Sequence, residues 1–115
     1  MKLRWVRTLG LCIVTLAISG LAVAATPDAH QGGELFQSQH CVMCHGANGK
    51  GYAAIHTPDF TSAKWQARHS DQQIAHVISH GKPGTRMPAF GTKVTSSQIQ
   101  DLVAYIRSLG SEKTK

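Results

Sequence analysis

Two cysteines three positions apart, with a histidine directly after the second, form the most chemically specific run in this 115-residue sequence: Cys41-Val42-Met43-Cys44-His45. Two thiols at this spacing can add across the two vinyl groups of one haem while the next imidazole is carried under the iron. That is the C-x-x-C-H pattern of covalent c-type haem attachment. Other uses of a C-x-x-C pair each need something the sequence lacks. A zinc site of this kind needs a second Cys pair, and a thioredoxin-like redox pair needs a surrounding βαβ pattern. The expected arrangement is one haem c, anchored covalently through Cys41 and Cys44, with His45 as an axial iron ligand.

The elements that must position this run read as helices throughout. A first helix is expected to begin near Gly32 or Gly33 and to run through Glu34-Leu35-Phe36 towards Cys41, after a short exposed leader over residues 26–31. Glu34 would then lie in its first turn, where a carboxylate meets the positive end of the helix dipole. Glycines 46, 49 and 51 predict a loop after the cysteines. With no Gly-Lys-Ser/Thr ending, it does not read as a phosphate cradle. A short helix is expected over Ser62 to Arg68 around Trp65. A longer one starts at Ser70, where Ser70 and Gln73 have capping-box spacing and Ile74, Val77 and Ile78 form one apolar stripe, and it stops at Gly81. Residues 81–93 form a Gly/Pro-punctuated loop holding Met87-Pro88. The last helix starts from a second capping-box pair, Thr95 and Gln98. It carries Ile99, Leu102, Val103, Ile106 and Leu109 at helical spacing until Gly110, with a frayed tail from Ser111. No strand pattern competes, so the fold class is all-α.

Composition narrows the function. Lys2, Arg4 and Arg7 precede an apolar run from Thr8 to Ala25 that ends in Ala22-Val23-Ala24-Ala25, the order of a secretory signal peptide. Residues 1–25 are therefore expected to be removed after Ala24 or Ala25, leaving 26–115 as the working domain; retention as a membrane anchor is the alternative reading. Cys12 falls inside the leader and would leave with it. Only Cys41 and Cys44 then remain, both committed to haem, so no disulfide framework stabilises the domain. Three of the twelve Lys and Arg residues belong to the leader, and the remaining nine against six acids leave +3. That mild charge, with no Lys/Arg cluster interleaved with aromatics, excludes nucleic acid as a partner. About ninety residues bury a small core. The bound macrocycle is expected to supply the missing apolar mass and the apoprotein to be largely unfolded.

The order Gly33-Glu34-Leu35-Phe36, Cys41 to His45, Met87-Pro88-Ala89-Phe90, then Leu102-Val103-Ala104-Tyr105-Ile106 resembles a small bacterial monohaem class I cytochrome c. The resemblance covers nearly all of the chain after the leader. It implies helices wrapped around one haem, with the first and last helices crossing. It also implies that His45 is the proximal ligand and Met87 the distal one. A thioether is a weak, neutral donor that favours Fe(II), so a His/Met pair raises the reduction potential relative to two imidazoles. Among the other methionines, Met1 leaves with the leader and Met43 lies too close to His45 to reach the opposite face. The alternative for Met87 is a gap-filling core residue.

Histidine is the rival sixth ligand. His56 and His69 lie in loops, His30 and His40 are expected to be exposed, and His76 and His80 share a helical face at a spacing that also suits an exogenous metal. Two further roles follow from the resemblance alone. The Pro58 carbonyl would accept the His45 Nδ1 proton, with plain turn-making as its alternative. Trp65 would lie at the haem edge with its indole N–H near a propionate, with core packing as its alternative.

An iron with both axial positions filled by protein is left with one-electron exchange. The chain is therefore expected to be a periplasmic electron carrier, not an enzyme, cycling Fe(II) and Fe(III) between a redox-protein donor and acceptor in transient encounters. Its contact surface would be an apolar rim with lysines such as Lys50, Lys82 or Lys93. Two other classes stay open. One is an integral electron-accepting haem subunit of a larger dehydrogenase or oxidase. The other is a haem sensor or peroxidase, which would need a displaceable Met87 and a polarising neighbour such as Arg86.

Overall fold

The computed structural model describes residues 25–112, together with 14, 16, 17 and 19–21. Most of residues 1–24, which fall in the expected signal peptide and include Cys12, lie outside the described residues, as do 113–115. Five α-helices follow in order: α1 Ala29–Ser38, α2 Val42–His45, α3 Ala63–Arg68, α4 Asp71–His80 and α5 Ser96–Ser111, with a 3₁₀ turn at Ala53–Ile55 between α2 and α3. No strand occurs among the described residues. No helix there is long and apolar enough to cross a membrane.

Local chemistry accounts for the starts of α4 and α5. Ser70 accepts from Gln73 N while the Gln73 side chain accepts from Ser70 N, and Thr95 and Gln98 repeat the exchange. Each box satisfies two otherwise orphaned groups and fixes where the helix begins. Ser62 caps α3 through Trp65 N.

α1 departs from expectation. It starts at Ala29, not near Gly32, because Asp28 is its N-cap and accepts from His30 N and Gln31 N. Glu34 therefore lies beyond the first turn, which holds no acid. The glycine that resembled a helix start has another task. Gly32 is buried where α1 crosses α5, and a Cβ there would sit 1.9 Å from the Asp101 carbonyl oxygen. Asp101 itself is buried, and its Oδ1 accepts from Asp28 N at 2.8 Å, tying the cap of α1 to the middle of α5. The α1–α5 contact is the most extensive between any two helices. Gly110 likewise does not stop α5, which continues to Ser111; its Cβ would meet Gln66 Cγ at 2.6 Å, so the position serves close approach to α3.

The core runs along α5 through Ile99, Leu102, Val103, Ile106 and Leu109, against Phe36 of α1, Phe60 before α3, and Ile74 and Ile78 of α4. Arg107 closes its edge. Its guanidinium donates to Gln66 O at 2.9 Å, Gln66 Oε1 at 2.7 Å, the His69 carbonyl, and Asp71 Oδ1 at 2.6 Å. Arg107→Met leaves these acceptors without their donor, and urea unfolding is expected to show a loss of about 2 kcal/mol. Asp71→Asn removes only an exposed charge partner and is expected to cost under about 1 kcal/mol. Equal losses from the two variants would mean that the ion pair, rather than the carbonyl clamp, carries the effect.

Candidate haem site

A single helical turn assembles the attachment run. His45 N donates to Cys41 O at 2.9 Å and Gly46 N to Val42 O at 2.9 Å. Cys41 and Cys44 are thus three apart on this turn and His45 is four from Cys41, which brings all three to one side of it. Neither cysteine forms a disulfide; Cys44 is exposed and Cys41 half-buried. Burial pushes the Cys41 thiol up from its ordinary value, with the neighbouring Cys44 adding to the rise and a backbone hydrogen bond opposing it. A redox-active C-x-x-C pair needs the opposite shift, because the thiolate is the nucleophile.

His45 is held by aromatic rings. Its imidazole stacks on Phe60 with centroids 4.8 Å apart and planes 22° from parallel, and it meets Phe36 at 6.3 Å. This packing turns Nδ1 inward, where it is buried with no hydrogen-bond partner among the described residues. The Pro58 carbonyl therefore does not accept the His45 proton here. The ring stacks on Phe60, and the Pro58 carbonyl lies against Gly51, 2.5 Å from where a Cβ would stand. Burial also lowers the His45 pKa, which favours the neutral imidazole that metal ligation requires. Nε2, on the opposite edge of the ring, is the nitrogen that would be left for a metal. Phe60 was not marked as a site residue by sequence; an aromatic two positions after Pro58 was its only signal.

The aromatic wall continues away from His45. Trp65 lies 4.7 Å from Phe60 and stacks on His69 at 4.5 Å. It packs on the core, and its indole N–H has no protein acceptor among the described residues. His69 is committed to this stack, with Nδ1 2.9 Å from Trp65 O. His30, His40 and His56 are exposed.

Met87 stands on a different element. Its loop is closed by main-chain and hydroxyl bonds: Lys82 N donates to Met87 O at 3.2 Å, Met87 N to Thr85 Oγ1 at 3.2 Å, and Thr85 Oγ1 to Lys82 O at 2.7 Å. Beyond it, Phe90 N and Gly91 N donate to Ile78 O and Ser79 O, fastening the loop to α4. The Met87 side chain is half-buried and is not among those packed on the core. No hydrogen bond or ring contact joins it to His45 among the described residues, so the two stand on separately fixed supports.

Two cysteines outside any disulfide, an imidazole whose pKa burial lowers and a thioether outside the core are groups that could hold a covalently attached haem. The residues present fit that group.

The family described as cytochrome c oxidase, cbb3-type, subunit III matches residues 27–106. A cbb3-type cytochrome c oxidase subunit FixP from Azorhizobium caulinodans is 34% identical over 94 residues, which are 82% of this chain and 31% of that protein. The chain thus spans about a third of the length of such relatives. Cytochrome c6 from Thermosynechococcus vestitus is 31% identical over 92% of this chain and 91% of its own. Among solved structures, the KustC0563 c-type cytochrome is similar with a TM-score of 0.62 and 33% identity, over 68% of this chain and 95% of that one. A helical fold, one C-x-x-C-H turn and likeness to c-type cytochromes in sequence and in structure lead to one assignment: this chain belongs to the cytochrome c family of the cbb3-type subunit III kind, with a covalently attached haem c as its cofactor.

Proposed function

We propose that the chain is a one-electron carrier in a respiratory or related chain, with Cys41 and Cys44 as thioether anchors, His45 and Met87 as the axial iron ligands, and Trp65 beside the propionate edge. The observation that carries this reading is the independent fixing of two candidate axial donors, His45 by α2 and its ring stack, and Met87 by a loop bonded to α4. When bound, the haem supplies an Fe(II)/Fe(III) couple. His45 and Met87 would hold the haem iron, and two protein donors there would exclude exogenous ligands and limit the rearrangement that accompanies electron exchange. The protein itself then performs no bond-making chemistry.

Charge placement supports transient docking near the Met87 loop. No Asp or Glu occurs between Asp71 and Asp101, while Lys82, Arg86 and Lys93 are exposed there, Lys93 lying 5.1 Å over the Phe90 ring. This face suits redox partners with an acidic surface, steered by charge. The leader pattern supports a periplasmic location. Likeness to cytochrome c6 over 91% of that protein supports a mobile carrier. Likeness to FixP, printed as an oxidase subunit, favours a second reading in which the domain is a resident haem module of a cbb3-type oxidase. Co-purification from host membranes separates the two: an oxidase retained through high salt would establish the second.

The attachment claim has its own test. Cys41→Ala and Cys44→Ala should each leave a single thioether, so the alkaline pyridine haemochrome band is expected to move away from its two-thioether position. An unchanged band in both variants would remove these residues from the haem. His45→Ala is expected to yield no stable holoprotein.

A further inference from the structure

Seven histidines occur in the sequence, and the attachment run uses one. Two of the others are brought together by α4. His76 and His80 lie one turn apart, both exposed, with ring centroids 4.2 Å apart and planes 19° from parallel. In this stack the in-plane lone pairs run side by side, so the His76 ring must turn for both to face one ion, a rotation its exposure permits. Packing does not demand this arrangement, since α4 buries Ile74 and Ile78 and neither imidazole joins the core. The pair is also chemically oriented. His80 Nδ1 lies 3.2 Å from the His76 carbonyl oxygen. A carbonyl only accepts, so Nδ1 carries the proton, and in the neutral ring the lone pair is then on Nε2. Metal-binding histidines are held in the same way, with the nitrogen remote from the metal donating to a backbone carbonyl.

We infer that His76 and His80 form a bidentate site for a divalent transition-metal ion of the Zn²⁺, Ni²⁺ and Cu²⁺ class, separate from the iron on His45. Imidazole nitrogen selects that class. Ca²⁺ and Mg²⁺ need oxygen donors, and the stretch between Asp71 and Asp101 offers no carboxylate. No third His, Cys, Asp or Glu completes a cluster among the described residues, so water fills the remaining positions and the ion exchanges freely. The site also has a structural consequence. His80 ends α4, and the Met87 loop is bonded to the same turn through Ile78 O and Ser79 O. An ion bridging His76 and His80 braces the turn from which that loop departs.

Calorimetric titration of the holoprotein with Zn²⁺, and separately with Ni²⁺, tests the site. His76→Ala and His80→Ala are each expected to weaken binding by about tenfold or more, since even losing an outer-shell partner of a metal ligand costs that much. The double variant should add little to either, because two donors of one chelate fail together. Mg²⁺ should give no heat. Both side chains are exposed, so the variants are expected to keep the wild-type visible spectrum and melting temperature in chelator-treated buffer. Zn²⁺ should raise the melting temperature of the wild type and not of the variants. Single variants that bind as tightly as wild type overturn the assignment. So does a stoichiometry of two falling to one on each substitution, which would mean two unrelated one-ligand sites.

Discussion

Gly32→Ala is expected to lower the melting temperature of the holoprotein by more than about 10 °C, a loss of about 3 kcal/mol or more for a domain of this size. The added Cβ would stand 1.9 Å from the Asp101 carbonyl oxygen, 2.5 Å from its carbonyl carbon and 2.8 Å from Tyr105 Cβ. Two of those three atoms are backbone in the middle of α5, so no rotamer change can relieve the clash; α1 and α5 must move apart. Separation would also stretch the bond from Asp28 N to Asp101 Oδ1 and strip Phe36 of its 5.1 Å contact with Tyr105. Gly33→Ala is the control. Its Cβ would meet only the edge of the Tyr105 ring, 3.2 Å away, and alanine raises helix propensity by about 1 kcal/mol, so the net change is expected to be small. Similar melting temperatures for the two variants would mean that the helix crossing is looser than these distances require.

The contrast between those neighbouring glycines shows which parts of the molecule its sequence discloses. Ser70 with Gln73, and Thr95 with Gln98, could be read directly because each capping box is complete within four residues. The turn that carries Cys41, Cys44 and His45 was legible for the same reason: the whole run lies within five residues. The start of α1 was misplaced because Gly32 read as a helix start, whereas its small size answers to Asp101, some seventy residues away, and a chain crossing leaves no local pattern. Gly110 misled in the same way, since its small size answers to Gln66. The orientation of the His45 ring was also hidden. The resemblance offered the Pro58 carbonyl as its partner, whereas the described residues stack the ring on Phe60 and leave buried Nδ1 without one. Packing between distant segments is the information missing from every one of these cases.

Replacing Met87 is expected to produce the largest change in redox behaviour. If its thioether is the sixth ligand, Met87→His should keep the oxidised protein low-spin while lowering its potential by on the order of 0.1 V, because an imidazole stabilises Fe(III) better than a thioether does. Met87→Ala removes the donor. The reduced variant should then bind carbon monoxide readily and the oxidised variant should lack the near-infrared band of methionine-ligated Fe(III), whereas the unmodified protein is expected to show that band when oxidised and to bind carbon monoxide slowly when reduced. These substitutions should be tolerated, because the loop is closed by the Met87 main chain, through Lys82 N to Met87 O and Met87 N to Thr85 Oγ1, and not by its side chain. The half-buried side chain also makes no core contact whose loss could unfold the domain. A change in ligation can thus be distinguished from a collapse of structure by comparing melting temperatures with spectra. An unmodified protein that is high-spin, or that takes up carbon monoxide as fast as Met87→Ala, would place the iron in an open site and turn the assignment towards a sensor or peroxidase, with Arg86 beside the open position.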